Sequence, residues 1–425
     1  MPIATPPGYR PLDERGIVDY LATLPDLSAR LGGAPGDWRV GEVGDGNLNV
    51  VFIVEGPAGD LCVKQALPYV RVAGESWPMP LERAFFEHRA STAQATHAPG
   101  LVPRIHHYDP QLYLIAMERL HPHVIMRRGM IDGVIYPSFA GHIVEYLAQT
   151  LFQTSDLAVP AGRKKAEVAV FCANTELCRI TEDLIFTDPY MVHERNRWTS
   201  PQLDDAARAI RGDAPLKRAV SQLKARFLCD TQALLHGDLH TGSIMVTEDD
   251  TRVIDPEFAF YGPIGFDVGK LIGNLLLAYF AQAGHEAGPG GRDAYRAWIL
   301  GIIPEIWNGF AARFVELWNG PRAGDAWPPA LFGDAGSLQI AQADYMRRLF
   351  ADSLGFGGAS MIRRTLGFAH NADFERIADK DRRAACERLN LQLARELILN
   401  AASIGSIEAV IERAVEIRRE GSAFS

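Results

Sequence analysis

Cysteine is scarce in this sequence. Five residues, Cys62, Cys172, Cys178, Cys229 and Cys386, are scattered over 425 positions, odd in number and with no CxxC pair. That spacing excludes a disulfide framework and a cysteine zinc site, and it points to reduced, buried thiols in a cytosolic protein. A positive excess is missing as well. Against 52 Asp and Glu stand only 43 Lys and Arg, for a net charge of −9. Wrapping a nucleic-acid backbone needs concentrated basic surface, and so does docking on an anionic membrane. A small anionic substrate is still compatible, because a local basic pocket can sit inside an acidic envelope. Long apolar runs are absent too. The nearest candidate, LIGNLLLAYFA from Leu271, is interrupted by Asn274 and is too short to span a bilayer. The first residues, MPIATPPGYRPLDERG, have no apolar signal core. These absences describe a soluble cytoplasmic protein with neither nucleic acid nor membrane as partner.

What is present is ordinary globular composition, 47% hydrophobic and 22% charged. At roughly 150 residues per domain the length suits two or three domains. Residues 38–65, WRVGEVGDGNLNVVFIVEGPAGDLCVKQ, alternate β-type runs with the turn signals GDGN and GPAGD. The pattern predicts three antiparallel strands joined by tight hairpins. A polar, Pro-containing loop, GESWPMP, comes next, then a helix over LERAFFEHRASTAQA, then β-like runs around LVPRIHHYD and LYLIAM. From about residue 140 helical patterns dominate, among them KKAEVAVFCANTELCRITEDLIF and DDAARAIRGDAPLKRAVSQLKARFL. The expected architecture is α+β and bilobal, with a small β-rich lobe over 1–119 and a larger, mainly helical lobe over 120–425.

The stretch LLHGDLHTGSIMV at 234–246 carries the chemistry. Residues 244–247 are β-like, 248–251 turn-like and 252–255 β-like again. A hairpin there runs out and back by the same distance, roughly 13 Å at about 3.3 Å per residue. Asp238, Asp255 and Glu257, 17 to 19 residues apart in sequence, then meet at one end of it. Converging carboxylates repel one another unless a cation holds them, and hard oxygen ligands suit Mg²⁺. Asp255 and Glu257 are assigned to the metal. Asp238 is left to accept the proton of a substrate hydroxyl, or to orient that hydroxyl for in-line attack. His236 and His240 stand four apart, but Gly237 and Asp238 between them favour a loop over a zinc-binding helix, so hydrogen-bonding braces are expected. Asp267 in GFDVGK is read as an N-cap or a brace for this loop.

In the first lobe, Lys64 is an isolated cation in the apolar strand LCVKQA and needs a partner or an anionic ligand. A strand lysine beneath a glycine-rich hairpin fits nucleotide phosphates. Glu82 and Glu87 lie about 140° apart on the next helix, so only one can face Lys64, and Glu87 is preferred. LYLIAM ends in Glu118-Arg119-Leu120, where hinge backbone can meet an adenine edge. Trp77 in GESWPMP can lid the pocket and exclude water.

Taken together, HGDLHTGS, DPEFAFYGPIGFDVGK, MIRRTLGFAHNADF, GDGNLN and VKQALPYVR…GESWP closely resemble the 5-methylthioribose kinase family of methionine salvage. That family has a protein kinase-like fold related to aminoglycoside and choline kinases. The resemblance implies ATP-dependent phosphorylation of the 1-hydroxyl of 5-methylthioribose, with ATP and Mg²⁺ bound and a homodimer expected. It implies that Asp238 contacts the sugar, that Asn47 and Lys64 hold the nucleotide, and that Glu118, Arg119 and Leu120 form the hinge. The triplet Asp255-Pro256-Glu257 serves metal and nucleotide, and Arg363 and Arg364 face the sugar. Ser243, where related loops carry Asn, is normal for the family. The dipeptide RR occurs five times, at 127, 347, 363, 382 and 418, so it has no signal of its own, and the other four pairs are expected at the surface.

Two other classes fit less well. A kinase for aminoglycosides or amino alcohols would need an acidic substrate pocket, and the arginine pair would repel a polycation. A non-catalytic nucleotide binder would be expected to lack Asp238, Asp255 or Lys64. A protein kinase fits least well, because no DFG or APE segment marks an activation loop.

Overall fold

A computed structural model describes residues 5–44, 48–70, 74–288 and 290–422. Two short helices open the described chain, α1 (Glu14–Ala22) and α2 (Pro25–Leu31). The strands β1 (Arg39–Val43), β2 (Asn49–Glu55) and β3 (Asp60–Ala66) follow in antiparallel register. After the short pair β4 (Tyr69–Val70) and β5 (Gly74–Pro78) comes α3 (Arg83–His97), then β6 (Ile105–Asp109) and β7 (Leu114–Met117). The main sheet has the order β1-β2-β3-β7-β6. Alternation along each strand decides what it buries. Phe52 and Val54 of β2 and Leu61 and Val63 of β3 pack against Ile17, Leu21 and Leu31 of the two opening helices. Lys64, one step out of phase, is thereby turned to the opposite face.

The remainder is mostly helical. The short strand β8 (Val124–Ile125) leads into α4 (Met126–Asp132), α5 (Phe139–Gln153), α6 (Ala161–Phe171), α7 (Thr175–Phe186), α8 (Asp204–Gly212) and α9 (Ala214–Cys229). Then come β9 (Ala233–Leu234), the hairpin β10 (Ile244–Val246) and β11 (Thr251–Val253), and β12 (Tyr261–Gly262). The chain closes with α10 (Ile264–His285), α11 (Asp293–Asn319), α12 (Ala335–Leu366), α13 (Ala372–Glu375), α14 (Lys380–Leu399) and α15 (Ile407–Ser422). The α10 helix is long and apolar enough to cross a membrane, yet its whole apolar stretch is buried inside the protein. It crosses α12 at backbone distance: a Cβ on Gly269 would lie 2.0 Å from the Ser353 carbonyl oxygen. That approach, repeated at Gly265 and Gly273, brings the N-terminal half of α10 beside residues 352–357 of α12.

Several expectations are corrected. GESWPMP is not simply a loop, because its Gly74–Pro78 forms β5 and pairs with β4. The long pattern from residue 164 breaks between α6 and α7. The one from residue 204 breaks at Asp213, whose carboxylate caps α9 by accepting from Leu216 N. The opening helices carry no β-lobe signal and were not anticipated. All five cysteines are free, but Cys172 and Cys229 are exposed rather than buried.

Candidate active site

The loop between β9 and β10 is held open as a cradle by its own small residues. Gly237 has φ +81°, and a Cβ there would stand 2.1 Å from the Phe258 carbonyl oxygen. Asp267, in the first turn of α10, accepts from the backbone N–H groups of His236 (2.6 Å) and Gly237 (3.1 Å). It is therefore the brace for the loop, while the N-cap position of α10 is Pro263. His236 donates through Nε2 to the Ile254 carbonyl at 2.8 Å and accepts through Nδ1 from Asp238 N at 3.2 Å. His240 Nδ1 accepts from Gly242 N at 2.9 Å. Both histidines brace, as their loop setting requires. Ser243 Oγ accepts from His240 N at 2.9 Å and donates to the carbonyl of Asp238, at 3.0 Å, or of His240. Its hydroxyl is spent closing the loop on itself.

The β10–β11 hairpin forms with Ile244 opposite Val253, and Ile254 N donates to the Ser243 carbonyl at 3.0 Å. The loop and the DPE triplet therefore lie at one end, as the spacing predicts. Asp255 itself adopts φ +71°, a left-handed conformation unusual for a residue with a side chain. The carboxylates that meet most closely, however, are Glu87, Asp255 and Glu257, whose oxygens lie within 4.8 Å of one another. Glu87 of α3, rather than Asp238, is the third member.

Lys64 binds two of that trio. Its Nζ donates to Glu87 Oε1 at 2.8 Å and forms a close ion pair with Asp255. This settles the choice on α3: Glu87 is the partner, and Glu82 instead accepts from the Tyr113 hydroxyl at 3.5 Å. Burial raises the Glu87 carboxyl above its ordinary range against the pull of Lys64. Burial likewise pushes Glu257 up to about 8, despite the attraction of Lys64. Glu257 accepts from Asn49 Nδ2 at 2.7 Å, and Asn49 Oδ1 in turn accepts from Arg83 Nε at 3.1 Å. Neither Arg83 nor Asn49 was expected in the site. GDGNLN offers two asparagines, and the family pattern directs attention to Asn47, which lies outside the described residues.

Asp238 sits apart from these acids, beside two cations and an imidazole that burial keeps neutral by lowering it to about 3. Lys270 Nζ is 2.6 Å from Oδ1, His240 Nε2 is 3.3 Å from Oδ2, and an Arg364 Nη is 4.0 Å from Oδ1. Desolvation works to raise its carboxyl, but Lys270 and His240 outweigh it and hold Asp238 well below the usual carboxylate range. Arg363 and Arg364 end α12 beside it. Arg364 donates to the Ala369 carbonyl at 3.0 Å, while its Nε and the Nε and Nη1 of Arg363 are buried without a hydrogen-bond partner. Unsatisfied guanidinium N–H groups around a carboxylate form a site for an oxygen-rich ligand. Of the pair at 127, Arg128 is exposed as expected, while Arg127 departs from the surface. Arg127 is only 15% exposed and lies 3.2 Å from the buried Asp373.

The other expected residues are distributed as follows. Trp77 of β5 is half-buried and its ring centroid lies 5.7 Å from that of Phe368, just after α12. Pro256 is buried in the turn of the DPE triplet, its carbonyl accepting from Ala259 N. At the segment expected to form the hinge, Glu118 N donates to the Arg104 carbonyl. The Glu118 carboxylate accepts from Arg104 N at 3.0 Å and lies 3.6 Å from Arg252. The Arg119 side chain turns to Glu55 (2.5 Å) and Asp60 (3.2 Å), and Leu120 is partly exposed.

A kinase-like fold with a braced HGD loop facing a lysine and a carboxylate cluster defines a phosphotransferase, and comparison agrees. The phosphotransferase enzyme family (APH) matches residues 39–300. Methylthioribose kinase 1 of Oryza sativa subsp. japonica is 50% identical over 407 residues, covering 95% of each chain. The methylthioribose kinase of Escherichia coli O45:K1 is 47% identical over 411 residues, 96% of this chain and 98% of that one. Among solved structures, a choline kinase from Cryptosporidium parvum aligns with a TM-score of 0.45 at 13% identity, over 92% of this chain and 99% of that chain. The chain belongs to the methylthioribose kinase family.

Proposed function

We propose that this protein transfers the γ-phosphoryl group of ATP to the 1-hydroxyl of 5-methylthioribose, giving 5-methylthioribose 1-phosphate and ADP in methionine salvage. The observation that carries the reading is the position of Asp238, an ionised carboxylate in a glycine-opened loop at the same end of the hairpin as Lys64, Asp255 and Glu257. Asp238 orients the sugar hydroxyl and takes its proton as the phosphorus–oxygen bond forms. Lys64 and Asn47 hold the nucleotide phosphates, backbone of Glu118, Arg119 and Leu120 meets the adenine, and Pro256 shapes the turn under the phosphates. Arg363 and Arg364 present their unpartnered N–H groups to the sugar and to charge developing on the transferred group. Trp77 lids the sugar.

The donor set fits Mg²⁺, because Asp255 and Glu257 supply hard oxygens within one ion's reach of each other. A divalent cation bound there would neutralise charge on the nucleotide phosphates. The same proposal takes 1–119 and 120–425 as the two lobes, a homodimer as the assembly and the cytoplasm as the location. A polycationic aminoglycoside is disfavoured by the cations around Asp238.

Phosphorus NMR of the purified protein with ATP, Mg²⁺ and 5-methylthioribose, beside ribose and choline as acceptors, tests the assignment. A new anomeric phosphate signal with methylthioribose alone is expected. ADP and free phosphate without that signal would discard the acceptor, and no turnover of any acceptor would discard the kinase reading.

A further inference from the structure

Lys270 has no place in the roles assigned so far. It lies in the second turn of α10, immediately before the apolar run that starts at Leu271. Its side chain is 3% exposed, and the protein charge it touches is Asp238 Oδ1 at 2.6 Å. A cation in such a setting needs a specific anionic partner to remain charged. The close α10–α12 crossing places it, since Gly269 allows α10 to approach Ser353 at backbone distance.

We propose that Lys270 is a positioning residue for Asp238, fixing the rotation of its carboxylate so that the Oδ2 side faces the acceptor hydroxyl. The inference rests on the reading of Asp238 given above. With Oδ1 held by the ammonium at 2.6 Å, Oδ2 has, among the described residues, the long 3.3 Å contact from His240 and keeps lone pairs free for the sugar. Arg364, 4.0 Å from Oδ1, is too distant to take over the task. Every charged group facing Lys270 bears on its ionisation. Asp267 lies on its own helix, Asp238 on the loop beside the neutral His240, Arg363 and Arg364 on α12, and the Phe266 ring centroid is 5.3 Å from Nζ. Burial is the largest influence and, with the two arginines, lowers the ammonium to about 8 against the attraction of Asp238. Below that pH the ion pair is intact. Above it the lysine is neutral and the lock is lost.

The test compares Lys270→Met and Lys270→Arg with the parent in steady-state kinetics from pH 6 to 10, using methylthioribose and Mg·ATP. For Lys270→Met a 10- to 100-fold fall in kcat is expected, with KM for ATP within twofold, since the nucleotide side is untouched. The parent's alkaline limb in kcat/KM for the sugar should move at least one pH unit upward in Lys270→Arg, whose guanidinium does not titrate there. In an Asp238→Asn background, adding Lys270→Met should cost less than a further twofold. An unmoved alkaline limb in Lys270→Arg, or multiplicative losses in the double variant, would overturn the proposal even if Lys270→Met alone failed to fold. A parent enzyme that turns over no methylthioribose refutes the functional reading itself and takes this inference with it. An active parent with unchanged variants refutes the inference alone.

Discussion

Replacing Lys64 by Met removes the cation that holds the carboxylate cluster together while keeping most of the side chain's length. Of its two partners, Asp255 is 46% exposed and solvent can take over its charge, so the cost falls on Glu87, only 3% exposed. Removing one member of a buried ion pair costs roughly 3–5 kcal/mol. Glu87 keeps the positive Arg83 in its field and can take up a proton, which argues for the lower end, about 3 kcal/mol. At about 2 °C per kcal/mol for a large domain, the melting midpoint should fall by at least about 6 °C at pH 7 without nucleotide. The pH dependence has a definite sign. Glu87 has a folded pKa raised above its unfolded value, so its contribution is full below the unfolded value and is lost as pH rises through the folded one. The deficit of Lys64→Met relative to the parent should therefore be larger at pH 8 than at pH 5. Adding Glu87→Gln should restore most of the midpoint, because the unpaired charge causes the loss. Thermal melts followed by circular dichroism decide it. A single variant within 1 °C of the parent, or a double variant no more stable than the single, would refute the reasoning.

Three further outcomes are expected. Asp238→Asn should lower turnover by roughly 10² to 10⁴, the range for losing a positioned acid–base group, in a coupled ADP assay; near-parental turnover would remove Asp238 from its role. Glu257→Ala should shift the Mg²⁺ titration of activity to higher concentration, and an unchanged titration would take Glu257 out of the metal site. Gly237→Ala places a Cβ 2.1 Å from the Phe258 carbonyl at φ +81°, so a loss of roughly 1–3 kcal/mol from backbone strain, with reduced kcat, should appear in melts and kinetics together.

Some of the site was readable because short-range pattern and chemistry coincide. HGD beside DPE at hairpin spacing placed Asp238 and Asp255 at one end, since a β-hairpin returns the chain to its start. A charged lysine in an apolar strand announced a buried partner. Lys270, a charged residue heading the apolar run from Leu271, carries the same signal. Asn49 and Arg83 left no trace, because a single asparagine or arginine has many ordinary uses and only its neighbour in space distinguishes it.

By itself the sequence determined the strand lobe, the helical remainder, the loop chemistry and the family, all of which depend on periodicity, turn residues and motifs within a few dozen positions. Tertiary structure alone decided which glutamate of α3 meets Lys64, that Glu87 rather than Asp238 completes the acidic trio, and that Lys270 and Arg364 surround Asp238. These are contacts between residues 23 to more than 120 positions apart. They are set by helix rotation, by the glycine-permitted crossing of α10 and α12, and by the desolvation that makes each buried charge find a partner.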